Sequence, residues 1–426
     1  MTGDVFQELE WRGLVYEATE GLREALASGP LTLYIGFDPT AASLHVGNLL
    51  PMMALARMQR FGHRPIAIVG GGTGMIGDPS GKTVERQLLS VEQIDTNLAG
   101  IREQLSRVLD FEAEGNAARI VDNADWLRTL DLIGFLRAIG KHFTVNYMLA
   151  KESIRRRLEQ ADGLSFTEFC YLMLQAYDFL ELYDRYACTL QMGGSDQWGN
   201  ITAGCDLIRR LRSGRAYGLV MPLVTTASGV KFGKTEAGAV WLDHRLTSPF
   251  RFYQFWLNAD DRDAVPYLKY FTFLDRDAVE ALSREVADAP ERREAQRTLV
   301  REVTRTLHGD QALVRAERAS AVLFSEAISE LNVEEVLDVF ADVPSTALPR
   351  AGFESGGAAL TDLLVSAGLA ASKGEATRLI RNGGVYVNNR RVANERERLL
   401  ASAAIAGQVF VLRKGQRQQH VLRLVA

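Results

Sequence analysis

Two short stretches carry groups suited to a phosphate. In "DPTAASLHVGN", Asp38 to Asn48, a strand-like run gives way to a helix-like one, with Thr40, His45 and Gly47 at the junction. A helix start offers unpaired N–H groups and the positive end of its dipole, which suits an anion. In "ASGVKFGKTEAG", Lys231 and Lys234 stand three apart in a glycine-rich, weakly structured run. Taken separately, each stretch also fits an ordinary surface turn. A third pattern points to a different ligand. "SFTEFCYLMLQAYDFLELYDRY" is apolar and helical in character, yet Tyr171, Gln175 and Asp178 recur at i, i+4 and i+7, on one face. Burying a carboxylate and an amide unpaired is costly, so the stripe predicts an exposed face or the wall of a small-molecule pocket. Apolar residues around the rest of the helix favour the pocket. There Tyr34 and Asp178 would share a ligand hydroxyl, and Asp78, Tyr171 and Gln175 would hold an ammonium group.

Such groups need a scaffold. "LTLYIGF" alternates Leu31, Leu33, Ile35 and Phe37 with smaller or more polar residues, the period of a strand. Apolar residues from Leu44 to Phe61 recur at helical spacing, Gly62 is a helix stop, and "PIAIV" reads as a buried strand. This is a βαβ unit, which implies parallel strands and a right-handed crossover. Further strands are expected at "RIVD" (119–122), "CTLQM" (188–192) and "LVMPLV" (219–224). The result is a doubly wound sheet, whose ligands bind at the carboxyl ends of its strands. Asp38–Asn48, "GGGTGMIGDPSGK" and "GGSDQWGN" all fall at such ends. Two apparent motifs fail. "GTGMIG" matches a dinucleotide fingerprint but opens into "DPSGKTVER" rather than an apolar helix, and "GKT" lacks the upstream glycine of a phosphate loop, Ile76 standing there.

At 426 residues, 47% hydrophobic and 24% charged, the chain predicts two or three globular domains. Its acidic first residues are not those of a signal or transit peptide, and no apolar run would span a bilayer. Cys170, Cys188 and Cys205 form no metal-spaced pair. A cytoplasmic protein without a membrane partner or a protein-bound metal is expected. Charge is uneven: from Ala359 to Ala426 eleven Lys/Arg face four Asp/Glu, although the whole chain is −4. That asymmetry predicts a module for a polyanion, or a solvated basic face. Within it Ser372 and Glu375 form a capping box for a helix, and "NGG" turns into a strand pair.

Taken in order, "YIGFDPTAASLHVGN", "GGGTGMIGDPSGK", "YLMLQAYDF", "QMGGSDQWGN" and "KFGKT" resemble the bacterial tyrosyl-tRNA synthetases, with a HIGH-type motif at His45 and a KMSKS-type loop at Lys231 and Lys234. The resemblance covers nearly the whole chain. It implies a Rossmann-like catalytic domain (1–246), an α-helical anticodon-side domain (247–340), a linker (341–357) and a small α+β S4-like RNA-binding domain (358–426). It further implies that Tyr34 and Asp178 contact the phenolic hydroxyl of L-tyrosine, that Asp78, Tyr171 and Gln175 bind its amino group, and that Gln197 lies near its carboxylate. Asp38, Gly47, Gly193, Gly194 and Asp196 would meet ATP. Thr40, His45, Lys82, Arg86, Lys231, Lys234 and Thr235 would face the departing phosphates. Asn48 stands where the motif has a second histidine; its amide can still donate to a nucleotide oxygen. Thr235 replaces the last serine of the loop motif and keeps a hydroxyl. ATP with Mg²⁺ is the expected co-substrate, with no tightly bound cofactor, tRNA(Tyr) the acceptor and a homodimer the assembly. Lys373, Arg378, Arg381, Arg390 and Arg391 would contact RNA phosphates. A nucleotidyltransferase of the same superfamily, or a non-catalytic RNA-binding relative, is the alternative.

Overall fold

The computed structural model describes residues 3–78, 80, 89–160, 163–229, 232–235, 238–322, 326–341, 343–415 and 418–425. The chain forms two compact units, Met1–Thr247 with Trp256–Leu307, and Ser248–Phe255 with His308–Ala426. The helical region expected as a domain over 247–340 is therefore divided between the two. Gly309, at φ 81° and ψ 169°, interrupts the helix Glu294–Val322 just after that boundary.

The first unit holds a six-stranded sheet of β1 (Glu17–Ala18), β2 (Thr32–Phe37), β3 (Arg64–Val69), β4 (Arg119–Asp122), β5 (Cys188–Gly194) and β6 (Tyr217–Met221). The order is β1-β6-β5-β2-β3-β4, parallel except for the short β1 against β6. From β2 the chain winds outward through β3 and β4, then returns to lay β5 on the other side. That reversal opens a crevice beyond the carboxyl ends of β2 and β5. β2, β3 and β5 are nearly continuous buried runs, as strands covered on both faces must be. β6 stops at Met221 because Pro222 has no N–H for the ladder.

Four helices matter for the site: α1 (Leu49–Arg60), α2 (Val91–Leu105), α3 (Phe166–Tyr186) and α4 (Trp198–Arg212). Capping sets their starts. Ser90 and Gln93 form a capping box for α2, and the Ser165 hydroxyl accepts from the Glu168 N–H at the head of α3. The apolar period suggested that the first helix begins near Leu44, but helical geometry starts only with a 3₁₀ turn at Val46–Asn48, because His45 is extended and acts as the cap. No helix among the described residues is long and apolar enough to cross a membrane.

In the second unit the strands β9 (Ser345–Pro349), β11 (Val385–Val387), β12 (Arg390–Arg391), β14 (Val409–Lys414) and β15 (Gln418–Val425) form a sheet in the order β12-β11-β14-β15-β9, and β10 (Ala358–Ala359) pairs with β13 (Arg398–Leu399). Between β6 and these lies a small pair, β7 (Lys234–Thr235) with β8 (Gly238–Ala239), in the first unit. The segment 341–357 is not a plain linker: β9 lies within it, parallel to β15. A strand at the sheet's edge tolerates the proline that its composition carries, since Pro349 closes the strand. Helices Leu360–Ser366 and Lys373–Arg381 pack Leu360, Leu364, Ala376 and Ile380 onto Phe410, Leu412 and Leu422.

Candidate functional site

The phosphate side is built around the helix start. His45 Nδ1 accepts from the Gly47 N–H at 3.0 Å, and the His45 N–H donates to Asn48 Oδ1 at 3.1 Å. A neutral ring whose Nδ1 accepts carries its proton on Nε2, so that nitrogen is a donor. Gly47 is required by space, because a Cβ there would stand 2.6 Å from the His45 ring. Asn48 thus has a local task that its position in the motif did not reveal: its carbonyl oxygen holds the histidine backbone. Thr40 is exposed on the preceding turn, its N–H bonded to Asp38 O at 2.9 Å.

The stretch after β8 closes onto this turn. Val46 N donates to Val240 O and Leu242 N to Leu44 O, both at 2.9 Å, and His45 bridges Trp241 in antiparallel fashion. Phe232, inside the lysine-bearing stretch, is buried against Trp256, Tyr267 and Phe271, with ring centres 5.0–5.5 Å apart. The backbone of Lys234 and Thr235 forms β7. The two motifs, far apart in sequence, are thereby neighbours. Lys82, Arg86 and Lys231 lie outside the described residues.

On the other side of β2 sits a buried polar pair. Tyr34 is 1% exposed, and its hydroxyl has no hydrogen-bond partner. Burial drives its pKa well above the usual tyrosine value, and the charge of Asp178 adds to the rise. Asp178, on α3, accepts from Asn123 Nδ2 at 2.9 Å and from Trp126 Nε1 at 2.7 Å. Burial pushes its carboxyl up to about 7, against those two hydrogen bonds. A buried hydroxyl without a partner beside a fixed carboxylate is poised for a ligand that supplies a hydroxyl of its own.

Nearer the crevice mouth, Asp78 Oδ2 accepts from Gln197 Nε2 at 2.8 Å, and Gln197 Oε1 accepts from Gln175 Nε2 at 3.1 Å. Tyr171 OH donates to Asp38 Oδ1 at 3.5 Å. Gln197, expected near the substrate carboxylate, is hydrogen-bonded to two of the residues expected to hold its ammonium group. Gly193 and Gly194 end β5, and Asp196 lies in the 3₁₀ turn Ser195–Gln197 that follows.

Sequence reasoning missed Asn123, Trp126 and Asn200. Asn123 accepts from the Gly72 N–H at 2.8 Å while donating to Asp178, so it ties the glycine-rich loop to the hydroxyl-binding pair. Asn200 Nδ2 donates to Gln175 Oε1 at 2.8 Å. The available signal was positional: Asn123 directly follows β4, at the same carboxyl edge as the other motifs.

In the second unit the cations lie on several elements. Lys373 pairs with Asp362 at 2.6 Å, and Arg381 with Glu395. Arg378 is exposed on the helix that both share, and Arg390 and Arg391 are exposed on β12. Arg391 Nε donates to Gly383 O at 2.9 Å, pinning β12 to the turn before β11. Exposed pairs of this sort are weak and exchangeable for phosphate. Arg413, stacked 3.9 Å over the Tyr386 ring, is a further cation that the motif reading passed over.

Residues 26–325 match the family model described as tRNA synthetases class I (W and Y), and residues 335–422 match that of the tyrosine–tRNA ligase SYY-like C-terminal domain. A tyrosine–tRNA ligase of Roseiflexus castenholzii is 56% identical over 421 residues, with 99% of each chain covered. The chain belongs to the tyrosyl-tRNA synthetase family. A further family member, from Geobacillus stearothermophilus, is 53% identical over 423 residues, again covering 99% of both chains. Among solved structures, the C-terminally truncated mitochondrial tyrosyl-tRNA synthetase of Aspergillus nidulans superposes with a TM-score of 0.69 at 28% identity, covering 75% of this chain and 94% of that one. The first family match contains both sides of the crevice, and the second contains the basic hairpin.

Proposed function

We propose that the crevice beyond β2 and β5 carries out the activation step, with its residues in the roles that follow. The activity is that of a tyrosine–tRNA ligase. A tyrosine carboxylate oxygen attacks the α-phosphorus of ATP, the bond to the β-phosphate oxygen breaks, and pyrophosphate leaves. The 3′-terminal ribose of tRNA(Tyr) then attacks the acyl carbon and AMP departs. Magnesium arrives with ATP as part of that substrate.

Tyr34 and Asp178 receive the phenol, and Asp78, Gln175 and Tyr171 hold the ammonium, with Gln197 steadying Asp78 and Gln175. Thr40 and the His45 Nε2–H donate to the phosphates, joined by Lys82, Arg86, Lys231, Lys234 and Thr235. Asp38, Gly47, Gly193, Gly194 and Asp196 meet the nucleotide. No covalent enzyme intermediate is needed: the groups position two anions and stabilise charge that grows on the leaving phosphates. The observation that carries this reading is the buried, unpartnered Tyr34 hydroxyl beside Asp178. ATP–pyrophosphate exchange without tRNA, comparing tyrosine, phenylalanine and tryptophan, tests it. Exchange with tyrosine alone supports these roles; equal exchange with phenylalanine removes the hydroxyl-recognition role of the pair.

The raised pKa of Asp178 sets a pH dependence. A phenolic O–H donates more strongly to a carboxylate than to a carboxylic acid. Bound tyrosine therefore lowers the Asp178 pKa, and by linkage tyrosine affinity increases as pH rises through about 7, then levels off. Tyrosine Kd measured from pH 5.5 to 8.5 should fall several-fold on a curve that Asp178→Asn flattens. A flat profile in the parent enzyme contradicts this assignment.

The basic hairpin of the second unit serves tRNA. Arg390→Ala should raise KM for tRNA several-fold and leave tRNA-independent exchange untouched. If Arg390 neutralises one phosphate, its removal also makes the plot of log affinity against log salt shallower by about one. An unchanged salt slope speaks against that role for Arg390. The enzyme works as a cytoplasmic homodimer. The stretch 132–166 keeps Leu132, Ile133, Val145 and Phe166 exposed by 60–77%, apolar surface suited to a second copy. Light scattering on Phe166→Asp, which should shift the protein toward monomer, is the check.

A further inference from the structure

Helix α2 carries none of the sequence motifs, yet one of its faces holds the turn that leads into His45. Asn97 Nδ2 donates to Pro39 O at 2.8 Å. One turn on, Gly100 lies so close to the chain that a Cβ there would stand 2.1 Å from Ala42 O. One turn further, Gln104 Oε1 accepts from the Leu44 N–H at 2.8 Å while its Nε2 donates to Ser43 Oγ at 3.0 Å. Positions 97, 100 and 104 are i, i+3 and i+7, one side of a helix. Ser43 and Gln104 are buried, so neither can exchange these bonds for water. The Ser43 hydroxyl passes the link on: it accepts from the Asp243 N–H at 3.1 Å and donates to Leu44 O at 2.7 Å. Asp243 belongs to the stretch that runs on from the lysine-bearing loop and pairs with Leu44 and Val46. The turn Pro39–Leu44 and the return of the lysine loop are therefore both fastened to α2.

We infer that Asn97, Gly100 and Gln104 are positioning residues for adenylate formation, fixing the Pro39–Leu44 backbone so that Thr40 and His45 meet the phosphates as charge develops on them. The inference rests on the phosphate-binding roles given to Thr40 and His45. Thr40 itself is exposed, so how precisely its donor is held depends on the anchoring of its buried neighbours in the turn, Pro39, Ser43 and Leu44. A rigid helix face supplies that restraint, and a displacement of about 1 Å is enough to slow a reaction by about 10²-fold.

The test uses the full-length enzyme in rapid-kinetic measurements of tyrosyl-adenylate formation, scaled to titrated active sites. Gln104→Leu keeps the side chain's bulk but removes both of its bonds. Its rate at saturating tyrosine and ATP should fall about 10- to 100-fold, with tyrosine Kd changed by less than about twofold because the hydroxyl-binding pair is untouched. Asn97→Ala, at a half-exposed position that is safe for folding, should show a smaller loss of the same kind. The decisive readout is a double-mutant cycle with Thr40→Ala. If Gln104 acts through that turn, the combined loss is clearly smaller than the product of the two single losses. Losses that multiply, or a full rate per active site in Gln104→Leu and Asn97→Ala, overturn the inference. A Thr40→Ala enzyme that keeps its full rate overturns the phosphate reading beneath it, and this inference with it.

Discussion

Asp178→Ala lowers kcat/KM for tyrosine-dependent pyrophosphate exchange by about 10³-fold and brings the ratio of tyrosine to phenylalanine toward unity. The size follows from what the carboxylate holds. The variant loses a charge-assisted hydrogen bond to the substrate hydroxyl, worth about 1.5–3 kcal/mol. It also strands Trp126 Nε1, which donates to Asp178 at 2.7 Å in a site where Asp178 is 3% and Trp126 2% exposed, and leaves Asn123 Nδ2 with its bond to Thr73 Oγ1 alone. A buried donor without a partner costs about 1–3 kcal/mol, and part of that cost is already present in the free enzyme, so the net effect on tyrosine is about 4 kcal/mol. Phenylalanine offers no hydroxyl and loses only the organising effect of the carboxylate, less than tenfold. A site made to hydrogen-bond a hydroxyl rejects the analogue that lacks it, and tyrosyl-tRNA synthetases are the standing example of that rule. Steady-state exchange with both amino acids on Asp178→Ala and Asp178→Asn decides the matter. The Asn variant retains an acceptor and should recover part of the loss. A tyrosine/phenylalanine ratio that survives in the Ala variant would falsify the role given to Asp178.

Thr40→Ala and His45→Ala act on the other half of the reaction. Each should slow adenylate formation by about 10²–10³-fold, the usual result of removing one donor aimed at charge that appears in the transition state. Tyrosine Kd should hardly move, because neither residue belongs to the amino-acid side of the crevice. Losses confined to the rate at saturating substrates identify bonds made only in the transition state, whereas a rise in KM for ATP with an unchanged rate would assign them to ground-state binding. His45 should also show a structural component. Its Nδ1 accepts from the Gly47 N–H, so removing the ring leaves that helix start uncapped, at about 0.5–2 kcal/mol of stability. His45→Asn, which can keep a cap, separates the two effects: a regained melting temperature without regained rate locates the catalytic part in the ring itself.

Much of this chain could be read from its residues, and the parts that could not have a common origin. Period-two alternation located β2, and apolar runs located β3 and β5, because strands covered on both faces leave a strong apolar signal; β4, an edge strand with Val121 its one buried residue, showed only as the short run "RIVD". The i, i+4, i+7 stripe of Tyr171, Gln175 and Asp178 was visible because a helix has a fixed period, and the first and last of these residues are indeed buried. Element ends were less legible. The helix after Asp38 starts later than its apolar pattern, since a histidine cap is not among the usual capping residues. A proline-bearing run such as Ser345–Pro349 gives little sign that a strand at the far end of the same unit will pair with it.

What the sequence determined by itself was the list of chemical groups and the local geometry that offers them: donors at a helix start, a polar stripe on an apolar helix, glycine-rich turns at strand ends and a basic tail. Spacing within one element fixes these, because backbone periodicity is local. Only the tertiary structure decided which groups meet. The reversal of strand order at β2 brings Tyr34 from one strand to Asp178 on a distant helix, and long-range packing gives Asp178 its two buried donors, Asn123 and Trp126. The same packing sets Leu242 against Leu44 and lays Gln104 beneath the histidine turn. Contacts between residues so distant along the chain leave no periodic trace in a single sequence, because only the folded chain brings their backbones within hydrogen-bonding distance.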